Sequence, residues 1–187
     1  FDDGYICRTY IGDGAMNNGQ VFEAFNLASL WKLPVLYIIE NNQYGMGTSV
    51  NRSTAGDYLF KRGKPFGIPG TKVDGMNIFK VREAADKAGK HVRAGKGPYI
   101  LEVQTYRYKG HSMSDPAKYR TKEELETYKS KDPIQLVYDE IIKKKIASIK
   151  ELERINKNII KEIKEAAEFA QQSPFPKNED LYTDVYS

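Results

Sequence analysis

Gly12-Asp13-Gly14-Ala15 opens, and Glu40-Asn41-Asn42 closes, the stretch whose reading decides the fold. Ahead of it, Tyr5 to Ile11 (Tyr-Ile-Cys-Arg-Thr-Tyr-Ile) is dense in β-branched and aromatic residues and stops at a glycine, the pattern of a strand running into a turn. After Asn17-Asn18-Gly19, apolar residues recur at Val21, Phe25, Ala28 and Trp31, the spacing of a helix with one buried stripe. Pro34 stops that helix, and Val35-Leu36-Tyr37-Ile38-Ile39 is a continuous apolar strand of the kind buried on both faces. Strand, helix, strand predicts a right-handed parallel crossover. It would bring Asp13 and Asn42 to neighbouring strand ends, on the edge where parallel α/β sheets take ligands. A carboxylate beside an amide oxygen suits a hard divalent cation, and a glycine turn opens backbone N–H groups to a phosphate. Gly14 and Ala15 are small where a backbone must come close to such a ligand. The unit reads as a clamp for a metal-bound diphosphate.

Outward from this unit, Asn42 to Gly70 has scattered glycine, proline and charge with little periodicity, and is expected to be a binding loop, ordered mainly with a ligand or partner present. Thr71-Lys-Val-Asp-Gly reads as a short strand and turn. Ile78, Val81, Ala85, Ala88 and Val92 mark a second amphipathic helix, ended by Gly95 and Gly97. Pro98 to Thr105 alternates as a strand, with Tyr99, Leu101 and Val103 opposed to Ile100, Glu102 and Gln104. Tyr106 to Arg120 is polar and aromatic and belongs on an exposed loop. Three helix starts follow: Thr121 with Glu124, Asp132-Pro133 with Gln135, and Ser148 with Glu151. The last helix carries Leu152, Ile155, Ile159, Ile163, Ala166 and Ala170 on one face; beyond it lies an extended tail that Leu181, Tyr182, Val185 and Tyr186 would anchor. The expected organisation is an α/β region over residues 1–121 and a helical C-terminal extension over 122–187 packing on it.

Composition narrows the classes. The 187 residues suit one domain with a real core, and 40% hydrophobic with 29% charged content is ordinary for a globular protein. No apolar run has the length of a bilayer span. The net charge of +4 is spread over helix faces that also carry acids, so neither nucleic acid nor membrane is an expected partner. The single cysteine, Cys7, lies in an apolar strand and is expected to be a buried, inert thiol. Of the two histidines, His91 falls on a lysine-rich helix face and is assigned to solvent. His111 lies on the polar loop, where no core would claim it. The chain begins at Phe1, almost directly on a strand, which reads as a cut through a larger protein.

Gly-Asp-Gly, a spacer of 26 residues (Ala15 to Glu40) and Asn-Asn together resemble the thiamine-diphosphate signature. The flanking text resembles one family more closely. Phe22-Glu-Ala-Phe-Asn, Leu30-Trp-Lys-Leu-Pro, Glu40-Asn-Asn-Gln-Tyr-Gly-Met-Gly-Thr-Ser and Tyr106-Arg-Tyr-Lys-Gly-His-Ser-Met-Ser-Asp-Pro are similar to alpha subunits of pyruvate dehydrogenase E1. The likeness covers nearly the whole chain; that family's alpha subunit has, in addition, a substantial N-terminal portion.

The resemblance implies a doubly wound parallel α/β sheet of the thiamine-diphosphate-binding type. It implies oxidative decarboxylation of pyruvate and transfer of the acetyl group to a lipoyl group. Asp13 and Asn42, with the main-chain carbonyl of Tyr44, would hold Mg²⁺; Ca²⁺ would suit the same oxygens. Gly14 and Ala15 would approach the diphosphate, and His111 would touch the cofactor and assist catalysis. The partners implied are an E1 beta subunit, in an α2β2 heterotetramer, and the lipoyl domain of the E2 acetyltransferase, in bacterial cytoplasm or mitochondrial matrix. The glutamate that activates the cofactor's aminopyrimidine would come from the beta chain, so this chain is expected to be inactive alone. Branched-chain 2-oxoacid and acetoin dehydrogenase alpha subunits are the alternatives within the class. The serine matching Ser112 is a phosphorylation site in mitochondrial members; Lys118 stands where a second regulatory serine would be expected.

Overall fold

The computed structural model describes residues 4–185. Tyr186, the last of the expected tail anchors, lies outside the described residues. Within them the chain divides into two compact units, up to Val137 and from Tyr138.

In the first unit β1 (Cys7–Gly12) runs into a single 3-10 turn at Ala15–Asn17 and then α1 (Gly19–Leu30). The side chain of Asn18 caps α1 by accepting from the N–H of Gln20 at 3.0 Å. β2 (Val35–Asn41) follows, then β3 (Tyr44–Gly45) and β4 (Thr48–Ser49), which pair antiparallel, and the one-turn α2 (Val50–Ser53). A 3-10 helix at Leu59–Phe66 precedes β5 (Gly70–Asp74), α3 (Ile78–Arg93) and β6 (Tyr99–Gln104). The unit continues into α4 (Lys122–Lys129) and the start of α5 (Pro133–Lys143).

The main sheet has the order β1-β2-β6-β5, with all neighbours parallel. The step from β1 to β2 and the step from β5 to β6 run in opposite directions across it. Right-handed crossovers therefore set α1 and α3 on opposite faces, and the sheet is doubly wound as expected. On α1's face, fully buried Phe25 packs edge-on against Tyr37 at 4.8 Å, over Ile39 and Ile100. On the other face Ala88 and Val92 of α3 seal Leu101 and Val73. That second layer covers β5 and β6 and reaches Leu36 at the start of β2. Over β1 and β2, Arg8, Tyr10, Ile38 and Glu40 line an open groove of about 700 Å³ beside Val81 and Ala85.

Four expectations need correction. The segment after Asn42 is not an unpacked loop: Leu59 and Ile68 enter the core beneath α1, at 1% and 4% exposure. Cys7 is exposed, because β1 is an edge strand, which its apolar composition does not reveal. Trp31 is exposed, one residue past the end of α1, so the helix's stripe stops at Ala28. His91 is half-buried with its ring edge-on to Tyr99 at 5.3 Å, rather than in solvent.

In the second unit Ser148 and Glu151 close a reciprocal cap on α6 (Ile149–Gln172): the Ser148 N–H donates to the Glu151 carboxylate at 2.7 Å and the Glu151 N–H to Ser148 Oγ at 3.3 Å. The predicted apolar face of α6 is there but exposed at Ile155, Ile159 and Ile163, and the tail residues Leu181, Tyr182 and Val185 are exposed as well.

Candidate cofactor and metal site

The carboxyl ends of β1, β2 and β6 feed three loops into one cavity of about 450 Å³. Asp13, Gly14 and Ala15 come from the first, Asn42 and Tyr44 from the second, and His111 from the third, so all six residues singled out in the sequence line it. Gly45, Met46 and Arg107 line it too. The parallel register explains the convergence: Gly12 pairs with Glu40 and Asn41 with Gln104, so the three strands end level with one another.

Asp13 is the charged centre, with only 3% of its surface exposed. Burial pushes its carboxyl pKa up; the N–H groups of Asp13 and Asn42, and then the charge of Arg107, pull the other way. A buried carboxylate that keeps no ion pair is poised to gain from a cation. Asn42 Oδ1 accepts the Tyr44 N–H at a long 3.3 Å, and retains a second lone pair. Among the described residues no cluster of three acidic, histidine or cysteine side chains forms a metal cage. The oxygen set of one carboxylate, one amide and one carbonyl fits instead a hard cation that takes its remaining ligands from phosphate and water.

Gly14 has φ −65°, so the turn does not need a left-handed glycine. Space is the reason for the residue. A Cβ built on Gly14 would lie 3.2 Å from the Gly45 Cα, and one on Gly45 would lie 3.1 Å from the Gly14 Cα. Two loops thus meet backbone to backbone beside Asp13. A short 3-10 turn follows Gly14, and Arg62 ties that turn down by donating to the Met16 carbonyl at 2.6 Å and to Asn17 Oδ1 at 2.9 Å.

Arg107, on the polar loop that follows β6, is the hub of the site. Its guanidinium donates to the carbonyls of Tyr44, at 3.3 Å, and Met46, and to the Tyr119 hydroxyl at 2.9 Å. His111 Nδ1 lies 3.5 Å from Arg107 Nη1; a guanidinium only donates, so in this long contact Nδ1 is placed as the acceptor. Asp115 folds the third loop by accepting from the N–H of His111 at 2.7 Å, the N–H of Ala117 at 2.8 Å and the Tyr119 hydroxyl at 2.8 Å. Those bonds, with Arg107 behind them, hold its carboxyl down at about 2. Tyr44 packs at 5.2 Å from Tyr119 and donates its hydroxyl to Glu124 at 3.0 Å; burial and then that carboxylate push its pKa up to about 12. Ser112 and Ser114 sit exposed at the loop tip with their hydroxyls 3.1 Å apart. An arginine three residues beyond β6, a strand that ends at a ligand edge, was the signal available for Arg107.

A parallel sheet with a cavity at its carboxyl edge, lined by an acid, an amide and a glycine pinch, is the setting in which α/β proteins take ligands. The family model for the dehydrogenase E1 component matches residues 2–179, and the chain belongs to that family, whose members depend on thiamine diphosphate. Among its relatives is the pyruvate dehydrogenase E1 component subunit alpha of Rickettsia bellii, 53% identical over 181 residues, which are 97% of this chain and 56% of that protein. The Rhizobium meliloti protein of the same name is 54% identical over 96% of this chain and 52% of its own length. The mitochondrial, somatic form of the Rattus norvegicus subunit is 52% identical over 97% and 47%. The chain thus spans about half the length of the curated relatives it matches, which come from bacteria and from mammalian mitochondria.

Proposed function

We propose that this chain is the diphosphate- and metal-binding part of the alpha subunit of a pyruvate dehydrogenase E1, acting in bacterial cytoplasm or mitochondrial matrix. The observation that carries the reading is the convergence of Asp13, Gly14, Ala15, Asn42, Tyr44 and His111 on one cavity at the carboxyl ends of three parallel strands. The names of relatives at 53% and 54% identity favour pyruvate over a branched-chain or acetoin substrate.

In this reading Asp13 supplies the charge for Mg²⁺, Asn42 its amide oxygen and Tyr44 its main-chain carbonyl. These oxygens would hold the cation beside the diphosphate of thiamine diphosphate, which would supply, when bound, the nucleophilic carbon for decarboxylation. Gly14 and Ala15 let the backbone come within reach of the phosphate oxygens. His111, with Nδ1 beside the Arg107 guanidinium, would turn its Nε2 side toward the cofactor and assist there. Tyr44's carbonyl already accepts from Arg107, so the metal and the guanidinium share that oxygen. The E1 beta subunit completes the site with the glutamate this chain lacks, and the lipoyl domain of E2 takes the acetyl group.

The test is titration calorimetry of thiamine diphosphate into the full chain assembled with an E1 beta chain, with and without Mg²⁺, together with an assay of pyruvate decarboxylation. Metal-dependent binding that Asp13→Ala abolishes, and turnover only with the beta chain, are the expected results. Binding that ignores both the metal and Asp13, or turnover by this chain alone, overturns the reading.

A further inference from the structure

Among the described residues Glu102 is the most deeply buried acid, at 1% exposure in the middle of the sheet, and neither the proposed chemistry nor the core's apolar packing calls for it. Both its oxygens are used. Oε1 accepts from the Asn41 side-chain amide at 2.8 Å, and Oε2 accepts from the Phe60 N–H at 3.0 Å. Asn41 is itself buried at 5% and passes the contact on: its Oδ1 accepts from the Gln43 N–H at 3.2 Å and from Gln43 Nε2 at 3.1 Å. Gln43 has φ +76°, a left-handed conformation that a non-glycine residue adopts only when its surroundings hold it. The next residue is Tyr44.

We propose that Glu102 is a positioning residue for the cofactor site: through Asn41 it sets the turn at Gln43, and so aims the Asn42 amide and the Tyr44 carbonyl into the cavity. Through Phe60 the same carboxylate pins the 3-10 helix, whose Arg62 holds the backbone behind Ala15. One side chain in the sheet thus braces both loops that clamp the ligand. The inference rests on the functional reading above.

The chemistry demands a carboxylate here. Both groups facing it are donors, and a glutamine would turn its own NH₂ on one of them. Asn41 cannot flip to help, because its oxygen is engaged by Gln43. The reciprocal exchange, Glu102→Gln with Asn41→Asp, restores every pairing: the glutamine oxygen accepts from Phe60, its NH₂ donates to the aspartate, and the aspartate's second oxygen accepts from Gln43.

The experiment compares Glu102→Gln, Asn41→Asp and the double variant in the α–β assembly, reading thiamine diphosphate affinity at fixed Mg²⁺, kcat and KM for the cofactor, and amide exchange at Gln43 and Phe60 without ligand. Glu102→Gln is expected to weaken cofactor binding about tenfold, as a rise in KM with kcat little changed, and to quicken exchange at both amides, consistent with a lost buried hydrogen bond. Asn41→Asp, which sets two carboxylates face to face, weakens it further. The double variant recovers to within about threefold of the parent, even if a single variant folds poorly. A parent assembly that binds no cofactor overturns the functional reading. Single variants that bind like a cofactor-binding parent, or a double variant no better than the worse single one, overturn the positioning role alone.

Discussion

The guanidinium of Arg107 donates to the main-chain carbonyl of Tyr44 at 3.3 Å, the oxygen that the functional reading also gives to the metal. Arg107 additionally holds Met46 and Tyr119, so it joins the second and third loops of the site. Arg107→Met removes three charge-assisted bonds at once. Each is worth about 1.5–3 kcal/mol when partly shielded. Cofactor binding to the α–β assembly is therefore expected to fall at least tenfold by calorimetry. Tighter binding would mean that the guanidinium competes with the cation more than it braces the loops.

Asp13 trades stability for ligand. Burial raises its pKa, so its contribution to folding is full at low pH and is lost as pH rises through the folded value. At neutral pH the cofactor-free fold carries an unfavourable charge. Asp13→Asn should thus raise the melting temperature of the cofactor-free protein at pH 7 by a few degrees, and abolish the gain that the parent shows on adding Mg²⁺ and thiamine diphosphate. A lower melting temperature for the variant would refute the electrostatic account.

Asp115 works in the other direction. Its carboxyl is held down at about 2, first by the N–H of His111, so the loop's stability is present above the ordinary aspartate value and is lost as pH falls from there toward 2. His111 and Tyr119 signals followed by NMR in acid should change together over that window. Asp115→Asn should release the loop at neutral pH, with His111 then mobile and cofactor binding weakened severalfold.

Gly45→Ala tests the pinch. The added methyl meets the Gly14 Cα at 3.1 Å, a backbone atom that cannot rotate away. Overpacking of this kind costs about 1–3 kcal/mol. Loss of metal-dependent binding with an otherwise intact fold by circular dichroism is expected. Gly19→Ala is the control, since nothing lies within 4 Å of its Cβ position and it does not line the cavity.

Much of this was legible because local rules and global fold agree. Pro34, the Asn42 boundary and the Thr121 and Ser148 caps each announce themselves through backbone chemistry, and the two strand ends carrying Asp13 and Asn42 follow from one crossover. What stayed hidden depends on neighbours that no local pattern encodes. The exposure of Cys7 follows from strand order, and the burial of Leu59 and Ile68 from a segment whose periodicity is broken by glycine and proline. Glu102 occupies an ordinary alternating position in a strand; only the fold sets Asn41 and Phe60 against it. Arg107's role likewise depends on carbonyls from a loop more than sixty positions away.

The three strand-end loops also set a timetable. Residues 13 and 42 follow two adjoining strands, but the cavity has His111 and Arg107 only when β6 lies between β2 and β5. Long-range parallel pairing of that kind is slow. A nascent or partly refolded polypeptide lacking the inserted strand therefore has no pocket to fill, and vitamin uptake becomes a readout of the last topological step.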